Sequence, residues 1–373
     1  MTAIKRRSPR DSGDKEVKPV VRRRPTERPI RPALPDIQVA PLGEMRDFWG
    51  RKLPRPIAPG RIRTALEKHF SQWPNLLSQS LDQLYKRPAP VSELDEVKVR
   101  LFQEGDFQYI FRVSVRRRTG NLLHLAMVVS KDGAKTSKIA RGELENLHLL
   151  YQREPQFVVQ PLQGGMLSVD PSAPPGRAKV FAYFTPWLTT LHELGVDRRL
   201  NFYINELPFH TFRPAASDII RGKLLSILFG YWDPTSQKAM APPQIASGDF
   251  VISRPHNSKP MRLCLIACRK ILSAISLADC LRLYLGYQGE WANQVFHFLP
   301  KEPQLLYEAL HQGLVVKNNG IIAWEHVEQE LKNYVEELAR KPADSSEWSP
   351  LPALRRLLGA LPKLKAASRP TSK

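Results

Sequence analysis

The chain has 373 residues, 42% apolar and 25% charged, with 33 prolines, three cysteines and a formal net charge of +20. Its length supports a sizeable core, expected as two lobes plus tails. The cysteines (Cys264, Cys268, Cys280) are too few for a disulfide framework, their C-x3-C-x11-C spacing fits no common zinc pattern, and they read as buried thiols of a reducing compartment.

No run of about eighteen apolar residues is present, and the basic N-terminus lacks the apolar core of a secretory signal. A cytoplasmic protein without a transmembrane segment is expected. Residues 1–63 hold seventeen Lys/Arg against seven Asp/Glu, half of the net charge. Repeated prolines and few apolar side chains make residues 1–47 a disordered basic arm. Residues 1–63 suit nonspecific contact with nucleic acid or another polyanion, or docking to a protein partner.

Residues 48–90 read as a helical element. Ile62, Leu66, Phe70 and Trp73 recur at helical steps, and Leu77, Leu81 and Leu84 continue the pattern after Pro74. Two strands are predicted over 97–102 and 107–115, joined by a QEGD turn, with a third over 122–130 after RRRTGN. A helix over 137–153 carries Ile139, Leu144, Leu147 and Leu150 on one stripe, with Ser137 as its N-cap. Strands follow at FVVQPL, GMLSV and KVFAYF. After the TPWLTTLHELGV connection, a helix capped by Ser217 carries an unusually wide apolar face and ends at Asp233-Pro234.

Two β-rich runs, 250–253 and 263–267, flank a turn-rich PHNSKP segment and read as a hairpin. Helices are predicted over 271–287, 302–314 and 323–341. In the tail over 341–373, Leu354, Leu357, Leu358 and Leu361 share one helical face beside Arg355, Arg356, Lys363 and Lys365. Residues 351–365 therefore suit a partner groove, an anionic surface or their own domain.

Three strands, a helix, further strands, a buried helix and a hairpin make an element order that resembles the superfamily of protein kinases and aminoglycoside phosphotransferases over roughly 97–313. The resemblance implies an α+β, bilobal kinase-like fold, with a β-rich N-lobe over 91–195 and a helical C-lobe over 196–340. It implies that Glu143, in Glu143-x-x-x-Leu147-x-x-Leu150, pairs with a strand lysine that holds nucleotide phosphates. Val128 stands at that lysine's place, and Lys131, or Lys135, serves if the strand is shifted. Gly105 is the single glycine of QEGDFQYIF, the loop that would cover phosphate.

The hairpin admits two alignments. In one, Asp249 of Gly248-Asp249 is the catalytic base and Arg254 replaces the metal-binding Asn. In the other, Asp249 is a metal ligand and Gln244 occupies the base position. In both, Ala267 or Cys268 replaces the second metal-binding Asp, and Arg269 adds positive charge beside it.

The leading expectation is a catalytically degenerate, pseudokinase-like binding or scaffolding protein without a cofactor. One alternative is an active atypical small-molecule phosphotransferase that uses ATP and Mg²⁺ through Asp249, Lys131, Glu143 and Gly105. Another is a nucleic-acid-associated structural protein. There is no G-x-S-x-G, H-E-x-x-H or Walker A sequence. The nine histidines are scattered, and His124 and His148 read as packing or surface residues. The FHTFRP stretch at 209–214 lines a cleft or covers a core.

Overall fold

Alternation of apolar and polar residues along three consecutive strands sets the architecture, because it sends one row of side chains to each face of a sheet. The computed structural model describes residues 36–39, 76–105, 107–131, 134–168, 179–196, 201–204, 210–242, 249–254, 261–286, 299–340 and 350–368. All of these belong to one unit, Leu34–Lys373. Most of the predicted arm, the helical positions Ile62, Leu66, Phe70 and Trp73, Phe209, the Gln244 and Gly248 positions, the PHNSKP turn and residues 341–349 lie outside the described residues.

The protein is mixed α+β. Strands β1 (Asp36–Val39), β2 (Leu94–Glu104), β3 (Gln108–Arg117), β4 (Leu122–Ser130), β5 (Gly164–Ser168) and β6 (Lys179–Pro186) form a six-stranded sheet in the order β1-β2-β3-β4-β6-β5. All its pairings are antiparallel except β1 with β2. The β1 strand corrects the expectation of a structureless arm at those four residues. Asp36–Val39 carries Ile and Val, contains no proline, and lines up with Glu96–Val99 along an otherwise unpaired edge.

Each face of this sheet enters a different core. Leu125, Met127 and Val129 of β4 and Val180, Ala182 and Phe184 of β6 join Tyr109, Phe111, Val113 and Val115 of β3. Helix α1 (Leu76–Tyr85) covers this side with Leu76, Leu77 and Leu81. Val128, Phe181 and Tyr183 point the other way, toward Leu144, Leu147 and Leu150 of α2 (Ala134–Arg153).

Helix α2 begins three residues before the predicted start. Ser137 is not its cap: it is buried, with its hydroxyl 3.1 Å from Ser130 Oγ, which accepts the Phe181 N–H at 2.9 Å. Gly164 lets β5 approach this helix, since a Cβ there would meet Leu144 Cδ2 at 2.4 Å.

The predicted FVVQPL strand is instead an irregular segment that makes one bridge, Val158 with Leu265. Pro161 interrupts it, and Val159 N–H bonds Leu265 O at 2.9 Å. The expected connection at 185–196 contains a strand, β7 (Leu191–Val196). With β8 (Phe202–Ile204), β9 (His210–Thr211), β11 (Phe250–Ser253) and β12 (Leu263–Leu265) it forms a second sheet, ordered β12-β11-β7-β8-β9. The predicted hairpin is present within it, with Phe250 opposite Leu265 and Ile252 opposite Leu263. A small third sheet pairs β10 (Ala239–Met240) with β13 (Ile271–Leu272), so the helix predicted from 271 begins only at Leu277.

Helix α3 (Pro214–Gly230) starts with Pro214 in its first turn; Ser217 lies inside it, accepting the Phe202 N–H at 3.3 Å. Around α3 lie α4 (Leu277–Leu285), α5 (Pro303–Leu310), which continues as a π-helical turn over His311–Val316, α6 (Trp324–Arg340) and α7 (Leu351–Ser368). Ser276 and Asp279 form a capping box on α4. Leu354, Leu357 and Leu361 of α7 are buried in the core shared with α3, α5 and α6, so its apolar face is occupied by its own domain. Arg355, Arg356 and Lys363 remain on its exposed side.

Arg153, at the end of α2, ties the first sheet to α3. Its Nε donates to Gly230 O at 2.9 Å and its Nη2 to Trp232 O at 2.8 Å and Asn318 Oδ1 at 2.5 Å; Asp233 lies 3.5 Å away. These carbonyls lie at and just beyond the end of α3, where helical partners are missing. Arg153→Met is expected to cost about 2–4 kcal/mol in chemical denaturation, because it leaves several polar groups unpaired at once. Hydrogen exchange over residues 134–153 should quicken in the same variant.

Candidate functional site

The β11–β12 hairpin and α2 bring three predicted positions to one buried cluster. Asp249 immediately precedes β11 and is 3% exposed. Arg269 follows β12, and its Nη1 lies 2.9 Å from Asp249 Oδ1 and donates to Oδ2 at 3.1 Å. Glu143 projects from the buried stripe of α2, one turn before Leu147, and is 1% exposed.

Burial is the largest influence on Glu143 and raises its pKa to about 7. The Arg269 charge opposes that rise, the Asp249 charge adds to it, and the Gln108 and Tyr183 side chains favour the ionised form. Oε1 of Glu143 nonetheless has no well-formed hydrogen bond among the described residues. Burial, followed by the Glu143 charge, holds the Tyr183 phenol well above its ordinary range.

Cys268 lies beside the same charges, and burial pushes its thiol up. Its carbonyl accepts from Asn146 Nδ2 at 3.0 Å, which joins α2 directly to the segment after β12. Cys264, Cys268 and Cys280 are all buried and free, and Cys264 is pushed up to about 12.

Lys131 takes a different place. Its ammonium lies 5.3 Å from the centre of the Tyr109 ring, which belongs to the core on the sheet face opposite α2. Lys135 is exposed in the first turn of α2. Val128, at the position the resemblance assigns to lysine, is 7% exposed in the core with Leu144 and Leu147.

Gly105 donates its N–H to Gln108 O at 2.9 Å, and a Cβ there would meet nothing closer than 3.6 Å. It therefore closes an ordinary hairpin turn whose next described strand carries Gln108 toward Glu143. Arg254 lies just beyond β11 and is exposed.

These residues do not fit a Mg²⁺ centre. The cation needs several oxygen ligands, whereas Asp249 already holds a guanidinium, Ala267 offers no ligand atom, and Cys268 is kept neutral. Among the described residues, no group of three or more His, Cys, Asp or Glu side chains is placed to hold a metal.

Gln108, Asn146 and Tyr183 are the members that the sequence pattern did not single out. Tyr183 was legible only through strand parity: Phe181 and Tyr183 alternate with Val180, Ala182 and Phe184, so the two rings face α2. Compared with known proteins, the chain matches no family model and no curated sequence.

Two substitutions test the cluster. Arg269→Ala leaves Asp249 buried without its counter-ion and should cost about 3–5 kcal/mol, more than Asp249→Asn, which removes the charge as well. For Glu143, the folded pKa of about 7 exceeds the ordinary 4.5, so the native state binds the extra proton and wild-type stability falls as pH rises through that window. Glu143→Gln should gain on the wild type between pH 5 and pH 8, by on the order of 3 kcal/mol at the upper end. A constant difference between their melting curves across that range would contradict the assignment.

Proposed function

We propose that the chain is a catalytically degenerate, kinase-like binding protein whose central ion cluster has a structural role. The order β2, β3, β4, α2, β5, β6, followed by α3 and the β11–β12 hairpin, supports the kinase-like reading. So does the meeting of a helical Glu and a hairpin Asp in one cluster. The carrying observation is the Arg269–Asp249 ion pair, which sets a fixed cation where the resemblance implies metal-bound triphosphate. Lys131 on the far side of the sheet and Val128 in the core leave Glu143 without the expected lysine.

The rival phosphotransferase reading has one observation in its favour: the Asp249 charge acts on Glu143 within a single buried cluster. Calorimetric titration with ATP, with and without Mg²⁺, together with phosphoryl-transfer assays, separates the two. The expected outcome is no Mg²⁺-dependent turnover and no gain in ATP affinity on adding Mg²⁺. Turnover that Asp249→Asn abolishes would establish the phosphotransferase instead.

A further inference from the structure

Helix α2 covers only one end of the sheet face on which it lies. Ser130 and Val128 of β4 are buried there, whereas toward the other end Arg100 and Phe102 of β2 and Arg116 and Leu122 beyond them are exposed. The open part is cationic. Arg100 lies directly opposite Arg112 in the β2–β3 register, and Lys98 and Arg116 occupy neighbouring positions on the same face.

Glu96 is already engaged, 2.9 Å from Lys98 Nζ and 3.7 Å from Arg116 Nε. Arg100 and Arg112 have no carboxylate partner among the described residues, and Arg112 Nε is buried without a hydrogen-bond acceptor. Like charges directly opposed across a strand pair destabilise a sheet. An unmatched guanidinium pair of this kind calls for an anion.

Aromatic rings border the same cations. The register between β2 and β3 slips between Leu101 and Gln103, leaving Phe102 as an extra residue. Leu101 remains in the core while the bulge turns the Phe102 ring outward, 57% exposed. Phe102 meets Trp187 edge to face at 4.8 Å, and the Arg112 guanidinium sits 5.5 Å from the centre of the Trp187 ring. Ala126, opposite Arg112 on β4, adds little bulk between them.

We propose that this face binds single-stranded nucleic acid, with bases stacked on Phe102 and Trp187 and phosphates held by Arg100 and Arg112. Charge complementarity selects a polyanion, and an exposed Phe102 ring beside a half-buried Trp187 selects one whose bases are free to unstack, because duplex bases are already stacked on each other. Among the described residues, neither Arg100 nor Arg112 is held by a carboxylate that would aim it at a base edge, so little sequence preference is expected. The site is built from residues other than those of the ion cluster around Asp249.

The test uses the full chain and a labelled oligothymidylate of about twelve nucleotides, with a matching duplex, ATP and phosphatidylserine vesicles as comparators. Phe102→Ala should weaken binding of the oligonucleotide about tenfold with an unchanged salt slope. Arg100→Gln with Arg112→Gln should weaken it and flatten the slope of log K against log salt by about 1.4. Arg100→Gln alone should hold or raise the melting temperature, the opposite of what loss of a structural ion pair would do. Photo-cross-linking with an iodouracil oligonucleotide should reach peptides containing Phe102 or Trp187.

Cross-links confined to residues 1–63, unchanged affinity in both variants, or equal affinity for the duplex or for ATP would overturn the proposal. Variants that lose vesicle binding but keep oligonucleotide binding would overturn it in favour of a lipid surface.

Discussion

A β-strand sends successive side chains to opposite faces, so a six-stranded sheet must find cover twice. Most of the protein's organisation follows from how unequally the two faces are covered. On one side β2, β3, β4 and β6 supply a dense apolar row that α1 closes with leucines. On the other side α2 lies mainly over β4 and β6, and the core there continues into α3 and the second sheet. The junction needs more than apolar contact, because the ends of α2 and α3 bring unpaired carbonyls together. Arg153 satisfies them with a side chain long enough to reach three acceptors from one helix end.

The same packing explains why two carboxyl groups are tolerated in the interior, one of them beside a partly exposed Arg269. Glu143 sits on the stripe of α2 that must be buried for the helix to dock, and Asp249 leads a strand whose Phe250 and Ile252 are fully buried. Neither backbone can move outward without opening the core. The remaining ways to lower the cost are a counter-ion and a proton. Arg269 supplies the first to Asp249, and burial favours the second at Glu143, raising its pKa to about 7. Either carboxylate ionised without Arg269 would carry a desolvation cost comparable to a sizeable share of a domain's net stability.

Strand alternation and the leucine stripe of α2 were legible because each is a local period that a single face imposes. Cap positions were less so: Ser137 and Ser217 have the right chemistry for N-caps, yet both lie inside helices, where their hydroxyls meet other segments. FVVQPL had strand composition but no pairing partner beyond one bridge, whereas LHELGV, with a glycine and two polar residues, pairs on both edges. β-composition reports a half-buried surface; pairing depends on what lies alongside. In the site, Glu143, Asp249 and Arg269 were found as a pattern of kept and replaced groups. Gln108 and Tyr183 were not, because each reaches Glu143 from a different strand and only the assembled sheet brings them together.

The two halves of the α2-side face treat cations in opposite ways, and the contrast follows from geometry. Under the helix and hairpin, the low-dielectric interior makes an uncompensated carboxylate prohibitive, so buried Asp249 is matched to the Arg269 guanidinium at contact distance. Beyond the helix, water screens the exposed Arg100, and its repulsion from the half-buried Arg112 costs little enough for the fold to bear. Repulsion that is bearable in water becomes attraction available to any anion that displaces that water. An aromatic rim then decides which polyanion profits most, since a phosphate chain bearing flat, unpaired bases satisfies the cations and the rings together.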